Sequence, residues 1–374
     1  MTAQFIGHTG HRDGSDITDA SGPVIDKAYI DRHVGAIEEA GIDKLLMGQF
    51  STWPDNQALA SYVFARFKRI GSLLAHRTGF VAPTLAARQL ATLDHFSEGR
   101  LWVHIITGGS DADQARDGDF FTHDERYERT DEYLTVLKKT WESETPFDHE
   151  GKHYKFKGAF SSVKPFQKPR VPISFGGSSD AAITVAGKHA DIYALWGEPL
   201  DGARETIAKV RAAAKPYGRE DDIKFTLAFR TIVAPTEDEA WANAAKILEI
   251  AKGRYKPSVT GKTGGNGERQ PSNIGSVRLR EAAARGKVLD KRLWTEFAEV
   301  SGAGGNSTAL VGTPEQVADA ILDYYDLGVS NFLVRGFYPT SDTVTYGRDV
   351  VPLVKAGIAE REARKAEGTR AAAE

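Results

Sequence analysis

Residues 171–189 read VPISFGGSSDAAITVAGKH, an apolar run of strand type that breaks at Gly-Gly-Ser-Ser-Asp and passes at once into a helical pattern. Such a junction can hold an anion. Gly176 and Gly177 let the backbone approach a ligand closely. The hydroxyls of Ser178 and Ser179 and the free N–H groups of a helix start converge on one spot, where the helix dipole favours negative charge. Phosphate is the usual guest there, and one junction implies one phosphate, as in a mononucleotide. A plainly capped helix, with Ser178 or Ser179 as N-cap, uses the same residues. The segment alone leaves both readings open.

The elements that must position this junction follow a rhythm. Strand-like runs near 3–8, 43–49, 78–82, 101–107, 171–175, 191–196, 224–233 and 331–336 alternate with helical patterns. In the first of these, Ile30, Val34, Ile37 and Ala40 fall at helical spacing. Thr84 offers a cap for the helix that follows the third run. Thr236 with Glu239 forms a capping box, and Thr313-Pro314 with Gln316 repeats it before a helix that Gly328 ends. Eight strands alternating with helices predict an α/β fold, a (β/α)8 TIM barrel, with a doubly wound open sheet as the other arrangement. No GxGxxG follows the first strand, which argues against a dinucleotide-binding Rossmann domain.

Two stretches break the rhythm. Residues 146–166 predict a β-hairpin inserted before strand five, turning at Glu150-Gly151. Residues 253–307, glycine-rich at both ends, form an insertion after strand seven. In a barrel that loop leaves from the catalytic face, so a mobile lid is expected. The barrel domain is expected to span 1–357, with a charged, frayed helical tail over 358–374.

Composition narrows the function. The chain has 374 residues, 41% hydrophobic and 26% charged, with net charge -3, enough for a large core and no basic nucleic-acid surface. No apolar run reaches membrane-span length, and the N-terminus lacks a signal-peptide pattern, so a soluble cytoplasmic protein is expected. Cysteine is absent, which removes disulfides, thiolate metal sites and a cysteine nucleophile. The ten histidines show no metal-ligand spacing, and no metal is expected.

In a barrel the active face is built just after each strand. That rule selects His8, Thr9, His11 and Arg12 after strand one, and Gln49, Phe50, Ser51, Thr52 and Trp53 after strand two. It selects Thr107, Gly108, Gly109, Ser110 and Asp111 after strand four, the anion junction after strand five, and Trp196 and Glu198 after strand six. Strand seven carries Arg230; Phe337, Tyr338 and Pro339 follow strand eight. This set is aromatic and cationic, without the paired carboxylates of glycoside hydrolysis or a GxSxG elbow. It suits a large flat cofactor and a small anionic substrate, since arginine forks fit oxyanions. Each residue also has a structural reading: Trp53 and Trp196 as core or rim aromatics, His8 and His11 as loop histidines. Alternation in FTLAFRTIVA turns Arg230 away from the phenylalanines, toward the barrel interior or toward solvent, where a structural salt bridge is an equal alternative. Arg126 and Tyr127, in HDERYERTDEY, lie near the start of a long helix, where Tyr127 can reach a phosphate; a solvated helix face accounts for the charges around it equally well.

Five segments carry a family resemblance: APTLAARQLATLDHFSEGRLWVHIITGG at 82–109, HDERYERTDEYLTVLKKTW at 123–141, SFGGSSDAA at 174–182, LWGEP at 195–199 and STALVGTPEQVADAI at 307–321. In order and spacing the chain resembles the bacterial-luciferase-like flavin-dependent monooxygenases, and among them the two-component alkanesulfonate monooxygenases. The resemblance covers the chain to about residue 355. It implies a luciferase-like TIM barrel, reduced FMN supplied by a separate NAD(P)H:flavin reductase acting as a transient partner, and O2 as co-substrate in a site closed against water. In relatives the insertion after strand seven supplies that closure. By the same carry-over, Ser178, Ser179 and Tyr127 match phosphate-contact positions, Thr107 lies beside the flavin ring, and Trp196 matches an active-site tryptophan. Gln49 joins the cofactor-binding set with Gly176 and Gly177. A homodimer or homotetramer is usual for the resemblance.

The departures matter as much. Where alkanesulfonate enzymes carry a cysteine after strand two, this chain has Trp53. Where they carry arginine and histidine on strand seven, it has Ala228 and Arg230. Where they end strand eight with Tyr-Pro-His, it has Tyr338-Pro339-Thr340. The expectation is a flavin-dependent monooxygenase acting on a small anionic organic molecule, an organosulfur compound such as a sulfonate or sulfone but not a simple alkanesulfonate. His11, Trp53, Trp196, Arg230 and Tyr338 form its expected catalytic set. A deazaflavin-dependent oxidoreductase on the same barrel and a non-catalytic flavin-binding protein are the alternatives.

Overall fold

Short apolar runs, buried on both faces, build the centre of the molecule, as parallel strands between helices must. A computed structural model describes residues 3–255 and 273–371. The chain begins β1 (Gln4–Thr9), α1 (Lys27–Glu39), β2 (Lys44–Met47), α2 (Asn56–Arg66), β3 (Gly71–Arg77), α3 (Pro83–Phe96), β4 (Leu101–Ile106), α4 (Asp111–Arg116) and α5 (His123–Glu142). It continues with β5 (Phe147–Glu150), β6 (Lys155–Ala159), β7 (Ile173–Gly176), α6 (Asp180–His189), β8 (Ile192–Trp196), α7 (Leu200–Ala214), β9 (Lys224–Val233) and α8 (Glu237–Arg254). It ends with α9 (Ile274–Arg285), β10 (Val288–Leu289), β11 (Leu293–Trp294), α10 (Glu296–Ser301), β12 (Ala309–Gly312), α11 (Pro314–Asp326), β13 (Val329–Val334), α12 (Pro339–Thr345) and α13 (Val351–Ala371).

Eight of these strands pair in parallel in the order β1-β2-β3-β4-β7-β8-β9-β13, and β13 returns to β1. The ring is closed: the fold is the expected TIM barrel, and the open sheet is excluded. The main core lies between barrel and helices, where Phe5 stacks on Phe332 with ring centroids 5.9 Å apart.

The third strand is a correction. It is β3, Gly71–Arg77, not 78–82. All seven of its residues are buried, so no alternation marks it. The TGFVA stretch behind it turns at Gly79, φ 104°, into α3. Thr84 is not the cap of that helix; Pro83 is its first residue and no side chain caps it. The eighth strand ends at Val334 rather than 336. The capping boxes at Thr236 and Thr313 form as expected, and Gly328, φ 101°, follows the end of α11.

Both insertions are present. β5 and β6 pair antiparallel, and Glu132 of α5 anchors their turn by accepting the N–H groups of His153 and Tyr154. After β9 the expected lid is folded where it is described: α9, β10, β11 and α10 occupy 274–301, while 256–272 lie outside the described residues. β9 is long enough to serve two neighbours along one edge. Its first half pairs with β8 through Ala228; its last four residues, Arg230–Val233, pair with β12. The barrel wall therefore forks above Ala228, and Thr308 bridges the fork by donating its hydroxyl to the Gly197 carbonyl at 2.6 Å. α13 runs unbroken through Gly357, and Ile358 is buried beyond it, so the expected tail begins inside an element of the domain.

Candidate active site

Side chains in a strand alternate, so each barrel strand offers the interior every second residue. Ile6, Leu73, Ala228 and Leu333 meet there, with Leu46 and Trp102 packed against them, and close the barrel's floor. One step toward the C-terminal ends, the inward positions become His8, His104, Gly176, Ala194, Arg230 and Arg335. His8 and His104 are partly accessible, so they line the cup formed at the barrel's C-terminal mouth. Burial lowers His104 to about 4 and, with the charge of Arg335, lowers His8 to about 3. Both imidazoles are neutral at pH 7. His104 Nδ1 bonds the Ser174 hydroxyl at 3.0 Å.

The Gly-Gly-Ser-Ser junction opens on this cup at the end of β7. Gly177 has φ 142°, which L side chains rarely adopt. A Cβ there would lie 2.8 Å from both the Tyr127 hydroxyl and the Ala182 methyl. Tyr127, on α5, thus holds its hydroxyl beside bare backbone. A Cβ on Gly176 would lie 3.2 Å from the His104 ring. Ser179 is the N-cap, its hydroxyl accepting the Ala182 N–H at 3.2 Å. Ser178 precedes it, partly exposed. The first-turn N–H groups of α6 have no intrahelical acceptor, as at any helix start. Tyr193 donates its hydroxyl to the Gly177 carbonyl from below.

An ion cluster occupies the β9–β13–β1 side. Arg230 points inward and is 2% exposed. Its Nη2 donates to Asp16 Oδ2 at 2.6 Å, its Nε to the Asn306 carbonyl at 2.5 Å and its Nη1 to the Gly336 carbonyl at 3.3 Å. Phe337 and Phe297 flank the guanidinium at 4.3 and 5.0 Å. Of the two readings of Arg230, these contacts are those of the structural ion pair. Asp16 also meets Arg335 at 3.2 Å and accepts the Tyr255 hydroxyl at 3.1 Å. Burial opposes its ionisation, but the two arginines outweigh burial and hold the carboxyl well below the usual carboxylate range.

On the opposite side Arg77 ends β3, 4% exposed. It binds Asp113 of α4, and the Ser51 hydroxyl at 2.9 Å. Gln49 accepts the Arg77 N–H through its side-chain oxygen at 2.9 Å, so its amide is anchored rather than free. His11 meets Trp53 edge-on at 5.1 Å, and Trp53 leans on Phe50 at 4.7 Å. Burial, then Arg12, lowers the His11 pKa. Thr107 follows β4, buried, its carbonyl accepting Gln114 Nε2 at 3.1 Å. Arg126 is not on a solvated face: it is 3% exposed and bonds Asp111 at 2.7 Å.

Trp196, at the end of β8, is roofed by α9. A Cβ on Gly275 would lie 2.8 Å from the indole. Arg278 of α9 grips Glu198, 3% exposed, with Nε at 3.0 Å and Nη2 at 2.7 Å. Tyr338 stands on the rim, 39% exposed, its N–H donated to Asp342. Burial raises Asp342 to about 6. The Thr340 hydroxyl bonds His33 Nδ1 at 2.7 Å. Among the described residues no three His, Asp or Glu side chains converge as metal ligands.

The model of the luciferase-like monooxygenases matches residues 4–331. The chain belongs to the luciferase-like monooxygenase family. The expected enzyme class, a monooxygenase, therefore stands. Solved structures with the same fold include riboflavin lyase RcaE with modified FMN and riboflavin, 22% identical, TM-score 0.74, covering 95% of this chain and 92% of that one. DmoA from Hyphomicrobium sulfonivorans is 21% identical, TM-score 0.76, with 95% and 88% covered. EDTA monooxygenase EmoA from Chelativorans sp. BNC1 is 19% identical, TM-score 0.72, with 95% and 94% covered. F420-dependent enzymes also share the fold.

In this luciferase-like monooxygenase the expected residues gather in four places around one mouth: the junction with Tyr127, the His11–Trp53 pair, Trp196 beneath α9, and Arg230 with its partners. Four further residues were missed. Arg77 was hidden by the misplaced third strand, and Arg335 by ending the eighth strand two residues late. Both lie where a search behind correctly placed strand ends would have found them. His104 lies inside a strand, and only its parity with Trp102 turns it inward. Asp16 meets Arg230 across 214 positions of sequence, a pairing with no local signal.

Proposed function

We propose that the chain is the oxygenase component of a two-component system, taking reduced FMN from a separate flavin reductase and oxygenating a small anionic organic substrate, an organosulfur compound such as a sulfonate but not a simple alkanesulfonate. One observation carries this reading: the bare, partly exposed Gly176-Gly177 backbone lies at the C-terminal end of its barrel strand with the Tyr127 hydroxyl beside it. The residues present fit a flavin phosphate. Ser178, the N–H groups of the α6 start and Tyr127 would hold it; Gly177 leaves the space. Reduced FMN, when bound, supplies the electrons that let one atom of O2 enter the substrate while the other leaves as water. Trp196 and its α9 roof exclude water from one side. His104 is neutral and can accept a proton at Nε2, and His11 can serve a substrate entering past Trp53.

Anaerobic titration with FMNH2, followed by fluorescence or calorimetry, tests the reading. Saturable binding is expected; no binding would sink it. Replacing Ser178 and Ser179 together by Ala should weaken binding by about 1–3 kcal/mol. Because the fold is shared with F420-dependent enzymes, a deazaflavin oxidoreductase is the second reading, and tighter binding of F420 than of FMN would favour it. Oxygen uptake above the free-flavin background, with a product seen by mass spectrometry, separates the oxygenase from a non-catalytic flavin carrier. Among the described residues no helix is long and apolar enough to cross a membrane. Cytoplasmic location and a homodimer or homotetramer belong to the same proposal.

A further inference from the structure

We propose that Arg335, not Arg230, receives the negatively charged head group of the substrate, and that the ligand class is an oxyanion, a carboxylate or sulfonate. This deepens the oxygenase reading and rests on it for the word substrate; the anion site itself does not. Three neighbouring strands contribute. His8, Arg230 and Arg335 each lie two residues beyond a floor residue, Ile6, Ala228 and Leu333, so all three face the cup. Arg230 is buried, with Nε, Nη1 and Nη2 all bonded to protein. Arg335 is different. Its side chain is 34% exposed, and its one ion-pair partner among the described residues is Asp16, at 3.2 Å.

Asp16 is the carboxylate that pairs with both Arg230 and Arg335, while the Asp342 carboxyl feels the charge of Arg230, so it is the free donors of Arg335 that mark the place for an anion. Asp16 cannot serve both arginines equally. Its Oδ2 lies 2.6 Å from Arg230 and 3.2 Å from Arg335, while Oδ1 accepts the Tyr255 hydroxyl at 3.1 Å. Asp16 and Arg230 therefore form a fixed brace, and Arg335 leans on it with donors left for a ligand. A guanidinium presents those donors as a planar fork that matches two oxygens of one head group.

The test uses 19F NMR line broadening with trifluoroacetate and trifluoromethanesulfonate as probes and neutral 2,2,2-trifluoroethanol as control, on the full chain. Wild type is expected to bind the two anions and not the alcohol. Arg335→Gln should lose tenfold or more in anion affinity, with Arg335→Lys between them because it keeps charge without the fork. Asp16→Asn should tighten anion binding, since it releases a second positive charge, whereas a purely structural Asp16 would give weaker binding. Unchanged affinity in Arg335→Gln, or equal binding of the alcohol, would overturn the proposal. Reduced FMN titrated into the same proteins separates the two claims: if it binds none of them while the anion pattern holds, the oxygenase reading falls and the Arg335 site stands.

Discussion

Gly177→Ala is the sharpest single perturbation of this site. The wild-type residue has φ 142°, where only glycine is at ease, and an added Cβ would lie 2.8 Å from the Ala182 methyl and 2.8 Å from the Tyr127 hydroxyl. The strained backbone costs about 1–3 kcal/mol. Overpacking against Ala182, which sits on helix backbone and cannot swing aside, adds about 1–3 kcal/mol. The sum is about 2–6 kcal/mol. Unfolding entropy of about 2.1 cal/mol/K per residue, over 374 residues, gives about 0.8 kcal/mol/K. Scanning calorimetry should therefore read a fall of about 3–8 °C in Tm. Reduced FMN affinity should fall as well, because relief of the clash moves Tyr127 or the α6 start. Gly176→Ala is the control. Its Cβ would meet a His104 ring at 3.2 Å, which can give by a few tenths of an ångström, so a smaller shift is expected. If Gly177→Ala melts within 1 °C of wild type, or if Gly176→Ala is the more damaging change, the account of the junction is wrong.

Two further outcomes follow from the same geometry. Arg278→Ala leaves Glu198, 3% exposed, without its cation; breaking such a pair costs about 3–5 kcal/mol when fully buried, and the partly open arginine puts this case at the lower end. Hydrogen exchange should speed up across 274–285, and exchange equal to wild type there would show that the fork does not hold α9 down. His76 is buried against the Tyr133 hydroxyl at 2.7 Å, and burial lowers its pKa from 6.5 to about 4. The unfolded chain takes up that proton first as pH falls, so stability conferred by neutral His76 is present above pH 6.5 and is lost toward pH 4, by up to about 3 kcal/mol. His76→Gln should flatten the Tm profile in that window relative to wild type, and parallel profiles would refute the assignment.

Much of this was legible before any coordinates. The Gly-Gly-Ser-Ser junction announced itself because glycine and capping serine are local signals, and the capping boxes at Thr236 and Thr313 are read within four residues. The barrel followed from alternation. What failed shares a cause. β3 is buried on both faces and so has no period to read, and moving it hid Arg77. Ion partners are chosen by the closed ring rather than by the local chain, so the Asp16 brace that occupies Arg230 was out of reach. The alternation of β9 did leave Arg230 with two faces to choose from; only the closed barrel selects the inner one. The insertion after strand seven, expected as a mobile lid, carries α9, β10, β11 and α10 in its described part; Trp196 and Glu198 give α9 something to hold, and neither contact is written in the glycine-rich composition.

The forked edge of β9 has an architectural consequence. The ring needs that edge only as far as Ala228, where β8 uses it. Everything grafted above, from β12 outward, hangs on hydrogen bonds that the ring does not use. Such an appendage can lengthen, shorten or change its chemistry over evolutionary time without disturbing the stagger of the eight staves beneath. A family built this way can renew the cover of its reaction chamber while the chamber itself stays the same.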